Sequence, residues 1–366
     1  MKNRFNIVII ALVLLAMGCT KTEMSDTKEK AVAFQVGNYA PQTKADSYTS
    51  LVNETTYFSS VAFLHTAGDN EVQNFFGDGE TITANDSENP SAWLPSLDYF
   101  WPKSAGSYIN FVSWYDKNGA PTTKNENELE WKDRVIEFDD NIMWADMAWR
   151  YNQNTTSLVN NTNAGLTDAF GQDAVTEGVP TLFHHALAQV RFMSKLSKSS
   201  DADGKVTWAV TVTGISLAAV KNQGTLSMSN ADPGSTQTKA WAVTNWAATT
   251  STETIAPETT PIAVNLNSEA KEVLGYKSVL PQAITDDMVL TVNYSVTTTY
   301  NTNVKTVVED ATTSAKLSAF SGSIEAWEMN KRYTYTVIIN PDTGIIKIIP
   351  VETDWIVESE YPINIE

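Results

Sequence analysis

Apolar and polar residues alternate along most of this chain, the period of strands half-buried on one face. Residues 31–36 form the first such run, with Val32, Phe34 and Val36 on one side. The next, 57–64, groups Tyr57, Ser59, Val61 and Phe63. In 108–115, Ile109, Phe111 and Ser113 face one way, and Tyr108, Asn110, Val112 and Trp114 the other. Further strands are expected at 206–212, 214–220 and 288–296. Tyr333, Tyr335, Val337 and Ile339 share a face, and Pro341 to Gly344 turn the chain into 345–349 as a hairpin. Lys117-Asn118-Gly119 and Asp203-Gly204 supply turns. Residues 66–92 and 152–178 lack a period and read mainly as loops. At the centre, 180–192 alternates through Leu182, His184, Ala186, Ala188, Val190 and Phe192. A helical set, Phe183, Ala186, Leu187 and Val190, fits almost as well; Pro180, Val190 and Phe192 favour the strand.

The two ends differ from this body. Residues 1–18 carry Lys2 and Arg4, then an apolar run over 7–16, then Met17 and Gly18 before Cys19. That is a signal peptide, too short to span a bilayer. A small residue before a solitary cysteine makes a lipobox, although Leu15 stands four residues before Cys19 rather than three. Cys19 is the only cysteine, so no internal disulfide forms, and acyl chains on it would anchor the protein to the outer membrane. Residues 19–30 are polar and patternless, a flexible tether. The tail, 356–366, alternates again: Val357, Ser359, Tyr361, Ile363 and Ile365 against Glu358, Glu360, Pro362, Asn364 and Glu366.

Composition narrows the function. At 366 residues, two domains are the default, and 42 % hydrophobic content supports real cores. Net charge is −18; losing Lys2 and Arg4 with the leader leaves −20, which repels phosphate backbones and excludes nucleic acid as a partner. No nucleophile elbow, zinc-protease helix or phosphate loop occurs, so no catalytic residue, metal site or cofactor is expected. His184 and His185 lack neighbouring thiols or carboxylates in sequence and read as a core or seam histidine beside a solvated one. Asp69, Glu71 and Asp78 lack calcium-loop spacing, and Asp139, Asp140 and Asp146 match no glycosidase pair. Trp93, Trp101 and Trp114 suit core packing better than a sugar platform. An alternative function, a carbohydrate-binding surface lipoprotein for glycan capture, needs such rings exposed. A secreted hydrolase needs a pocket with paired carboxylates.

Several segments bear a resemblance in family order. Residues 183–192, Phe-His-His-Ala-Leu-Ala-Gln-Val-Arg-Phe, resemble the Phe-x-His-Ala-Leu-x-x-Val-Arg-Phe segment of the fimbrillin family, the lipoprotein-derived (type V) pilus subunits. Tyr99 to Pro102 with 108–115, 139–146, Leu280 to Gln282, and Trp327 with 333–336 resemble further family elements. The resemblance implies an all-β chain of two transthyretin-like β-sandwich domains, 31–178 and 179–355. It implies a structural or accessory subunit of cell-surface fimbriae that takes part in adhesion, with other fimbrial subunits and a host or bacterial surface ligand as partners. Family subunits assemble by strand donation. On that basis Val32, Phe34 and Val36 are the candidate placeholder strand, and Val357, Ser359, Tyr361, Ile363 and Ile365 the candidate donor. The tail reads equally well as the last strand of its own domain. In polymerising subunits a protease cuts after an arginine that is Lys44 here, and no Arg lies between Arg4 and Arg134. Lys44 is therefore the candidate processing site, and its departure from Arg favours an uncut anchor, tip or accessory subunit. N-terminal sequencing of the protein from surface fibres checks this: a start at Ala45 means processing, and a blocked, acylated Cys19 means an anchor-like form.

Overall fold

The computed structural model describes residues 31–38, 51, 54–66, 68–87, 92–102, 107–151, 178–231, 241–257, 262–301, 305–319, 324–344 and 346–355. Their named elements are strands, with a single 3-10 turn at Leu317–Ala319, so the all-β expectation holds. The first eleven strands are β1 (Phe34–Asn38), β2 (Tyr57–His65), β3 (Val72–Asn74), β4 (Glu80–Ala84), β5 (Trp93–Pro95), β6 (Tyr108–Asp116), β7 (Thr123–Lys124), β8 (Glu128–Val135), β9 (Ile142–Ala145), β10 (Ala148–Tyr151) and β11 (Val179–His185). Then come β12 (Ala188–Leu196), β13 (Val206–Lys221), β14 (Gln223–Asn230), β15 (Trp241–Val243), β16 (Ala247–Ala248), β17 (Thr252–Ile255), β18 (Val264–Asn265) and β19 (Lys271–Val279). The last six are β20 (Gln282–Ala283), β21 (Val289–Tyr300), β22 (Lys305–Lys316), β23 (Ala326–Trp327), β24 (Lys331–Ile339) and β25 (Ile346–Asp354).

The first sheet runs β10-β6-β9-β11-β1-β5-β4-β2-β3, and β6 also pairs with β2. It therefore closes on itself through β6, β9, β11, β1, β5, β4 and β2. Inside lie Val32, Phe34, Val36, Phe58, Ala62, Ile82, Trp93, Ile109, Phe111 and Phe183. The outer face at β2, β6 and β9 is also buried, because the sheet β15-β14-β8-β7 packs there around Val61, Val112, Trp114, Trp131, Leu226 and Met228. This double burial explains β6, where the alternating faces are both dry: Ile109 and Phe111 point into the closed sheet, Val112 and Trp114 into the outer layer.

The second core lies between β19-β12-β24-β25 and the sheet β17-β13-β21-β22, a sandwich. Tyr333, Tyr335, Val337 and Ile339 share its interior, as their spacing predicts. The hairpin of β24 and β25 is present, with Gly344 at φ +68° in its turn. Two strands expected at 206–212 and 214–220 are one, β13. The register slips between Val212 and Gly214 opposite Asn293, so the glycine marks a bulge rather than a break. The central stretch is β-strand, broken at Ala186 and Leu187 into β11 and β12.

Sheet pairing crosses the boundary expected at 178/179. β11 belongs to the first sheet, between β1 and β9, and β14 pairs with β8. Trp241 and Trp246 donate indole N–H groups to the carbonyls of Ala145 (3.0 Å) and Ala186 (2.6 Å). At this junction Asn330, at φ +62°, ties three segments. Its N–H donates to Leu187 O (3.0 Å), its carbonyl accepts from Trp355 N (2.9 Å), and its side chain accepts from His185 N (3.4 Å).

The histidines belong to this seam. His185 is buried and stacked on Trp355, with ring centroids 3.8 Å apart. His184, the core or seam member of the pair, stacks on Trp144 at 4.3 Å and lies 3.3 Å from Asp146, whereas His185 is not the solvated neighbour expected. Burial, with the positive charge of Arg332 and the nearby His184, holds His185 well below the usual imidazole range. Facing it is Glu54, raised by burial against the opposing influence of Arg332 and of hydrogen bonds from Trp355 and Asn141. The unfolded chain protonates His185 near pH 6.5 while the folded chain does not, so stability falls as pH drops below about 6.5, by at most ~1.4 kcal/mol per unit. Glu54 acts oppositely, since its buried carboxylate costs stability above the ordinary carboxylate range and protonation relieves it. Urea unfolding from pH 7.5 to 5.5 should show a falling midpoint, and His185→Phe, which keeps the stack but cannot protonate, should remove that fall.

Candidate assembly site: the slot filled by the first strand

β1 is the stave whose two neighbours are least like each other. On one side it runs parallel to β11, from Phe34 opposite Val179 to Asn38 opposite Phe183. On the other it meets β5 only through Phe34 opposite Trp93. Just before β1, Val32 N–H donates to Tyr99 O (2.8 Å) and Ala31 bridges Phe100. Val179 N–H donates to Ala33 O (2.7 Å). Successive backbone groups thus point alternately to the two walls: Val32 and Phe34 to β5 and its continuation, Ala33 and the residues two and four beyond it to β11.

Val32, Phe34 and Val36 are at most 1 % exposed. Phe34 sits among aromatic rings, with centroids at 5.5 Å to Phe58, 5.4 Å to Phe111 and 6.3 Å to Phe76; the first two contacts are edge-to-face. Burying each of these three side chains is worth roughly 1.5–3 kcal/mol. Four chain segments separated in sequence therefore build one slot: 93–100 and 179–183 as walls, with β2 and β6 as the floor.

The chemistry of the slot is backbone hydrogen bonding and apolar fit. Other candidate chemistry has structural employment. Trp93, Trp101 and Trp114 are buried, at 0, 4 and 3 % exposure, so these rings form no sugar platform. Two carboxylates do meet, Asp116 and Asp140, but both are committed to Arg134, at 3.0 and 3.3 Å. Trp131 donates to Asp116 as well (3.1 Å), which makes this a tie between β6, β8 and the turn before β9. Among the described residues, no three His, Cys, Asp or Glu side chains are grouped to hold a metal ion, Asp69, Glu71 and Asp78 included. No helix among them is long and apolar enough to cross a membrane.

A family model described as fimbrillin-like matches residues 43–355. The chain belongs to the fimbrillin-like family. That places it among structural, non-enzymatic fimbrial proteins of the cell surface. No curated protein is similar enough in sequence to count as a relative. Among solved structures, a fimbrial protein from Bacteroides vulgatus shares the fold at TM-score 0.51 and 14 % identity, covering 89 % of this chain and 99 % of that one. The tip fimbrial protein Mfa3 from Porphyromonas gingivalis, truncated at its C-terminus, matches at TM-score 0.31 and 10 % identity, covering 89 % and 100 %.

Of the residues singled out in this fimbrillin-like sequence, Val32, Phe34 and Val36 come together in the slot. Cys19, Lys44 and the tail residues Val357, Ser359, Tyr361, Ile363 and Ile365 lie outside the described residues. The slot's walls were not anticipated. Tyr99 and Phe100 read as part of a turn, and Val179 to Phe183 as the opening of the second domain. The apolar run through Leu182 and Phe183 beside Pro180 was the available signal. Phe34→Ala should lower unfolding free energy by about 3–5 kcal/mol in urea titrations, because the aromatic ring around it cannot close over the void.

Proposed function

We propose that this fimbrillin-like protein is a lipid-anchored subunit of surface fimbriae, joined to its neighbours by strand exchange. Cys19 carries the lipid, the polar stretch 19–30 spaces the fold from the outer membrane, and β1 with its preceding residues holds the acceptor slot until a donor replaces it. The donor is the alternating tail, 357–365, of another subunit. Fibres so anchored contribute to adhesion through a surface ligand of host or bacterium. Cleavage at Lys44 would free β1 to leave.

One observation carries this reading. β1 is bound by close apolar fit on its inner face, yet it is short, N-terminal, and paired to β5 at a single position. Taking it away would leave unpaired backbone on β11 and on the segment around Trp93 to Phe100, with an apolar trough between them. Such paired edges with alternate pockets are what an extended segment binds. The sandwich edges are less inviting. β22 carries exposed Glu309 and Asp310 at its middle, and β25 carries Pro350, which lacks an N–H. They read as blunted, so the slot is where a second chain joins. Deleting residues 357–366 should abolish incorporation into fibres while leaving the monomer's circular dichroism and urea midpoint unchanged; normal incorporation would remove the donor role.

A further inference from the structure

The slot's polarity and lining choose a register for the incoming tail. This inference rests on the strand-exchange reading just given. Keeping the apolar set of the tail inward leaves three registers that fill all three places; one, with Val357, Ser359 and Tyr361, puts a serine in the place of Phe34 and Pro362 at residue 37, in the parallel ladder where the N–H is turned to β11, and so leaves two. In one, Ser359, Tyr361 and Ile363 replace Val32, Phe34 and Val36. In the other, Tyr361, Ile363 and Ile365 do.

Two features decide against the first. It sets Tyr361 in the place of Phe34, with its hydroxyl among Phe58, Phe76 and Phe111, rings that offer no acceptor. It also sets Pro362 in the place of residue 35, in the middle of the parallel ladder, where the backbone N–H is turned to β11 and proline has none. The second register escapes both. Pro362 then stands where Ala33 does, ahead of the ladder, and Ala33 meets β11 by accepting a bond at its carbonyl, a group proline keeps. Tyr361 takes the place of Val32, next to Tyr99, rather than that of Phe34 among the phenylalanine rings.

We propose that the tail of a second copy enters with Tyr361, Ile363 and Ile365 in the places of Val32, Phe34 and Val36.

Ala31 bridges Phe100, so the register fixes which tail residue lies opposite Phe100: Glu360 in the second register, Glu358 in the first. The test uses the full chain with Cys19→Ser and Phe100→Cys and a specific protease site after Lys44. After cleavage it is incubated with excess synthetic peptide 356–366 carrying Glu360→Cys or Glu358→Cys, under mild oxidation. A disulfide with the first peptide and not the second, read by mass spectrometry, is expected; any other pattern from a bound peptide overturns the register. Failure of the unmodified peptide to bind the cleaved chain at all sinks the strand-exchange reading beneath the proposal instead.

Discussion

Closure of the first sheet depends on one short strand. A closed sheet has no free edge, and the stave that completes this one is β1, the first in chain order among the described strands. It is held by the fit of Val32, Phe34 and Val36 and by hydrogen bonds to two unlike walls. Losing those three contacts costs roughly 1.5–3 kcal/mol each, and net domain stabilities are about 5–15 kcal/mol. An empty slot is therefore close to an unfolded barrel. On the strand-exchange proposal, replacement of β1 would be stepwise, the arriving segment occupying each place as the departing one gives it up. Parallel alignment with β11 makes this feasible, because donor and placeholder can share the wall end to end.

What the second half adds is a fixed exit for the tail. Trp355, the last described residue, is 2 % exposed, stacked on His185 and bonded through its N–H to Asn330. His185 ends the same strand, β11, whose other end forms a slot wall. Slot and exit are thus two ends of one seven-residue strand. In a fibre, tension arriving through a strand in the slot would pass along β11 to the seam and out through Trp355. The edge strand β25 would be guarded against peeling by the anchored ring at its end. The crossing of β14 onto β8 serves the same purpose, since it welds the two cores with a third layer instead of leaving a flexible linker between them.

Much of this was legible in the residues and some was not. Periodicity of two located β2, β6, β24 and the inward set of β1 because successive side chains turn to different sides of the sheet, and alternation reports that directly. It failed where the local rule is overridden from outside. Gly214 looks like a strand end, yet β21 supplies pairing on both sides of it, so a bulge forms. Residues 184 and 185 looked like one buried and one solvated histidine, but Trp144 and Trp355 arrive from 40 and 170 residues away, by sequence number, to cover both rings. The boundary at 178/179 followed a polar stretch, whereas strands pair across it because the edge of β9 was free to accept β11. Slot walls drawn from two distant segments leave no local mark on β1, so it could be seen as a strand but not as a closure.

A chain of net charge −18 that polymerises has to overcome its own repulsion. At physiological ionic strength that repulsion is screened beyond about 8 Å, so subunits approach without strong opposition but also without electrostatic guidance. Recognition must then come from contacts made inside that distance, which is what an apolar slot with alternating pockets provides. On the strand-exchange proposal the acidic residues of the tail fit the same logic. Glu358, Glu360 and Glu366 fall on the face opposite the apolar set. Like charges at those three positions would keep a greasy, β-prone segment from pairing with copies of itself. Acidity would then select the slot over self-association, and the cost of bringing two acidic bodies together would be met by side chains that no longer face water.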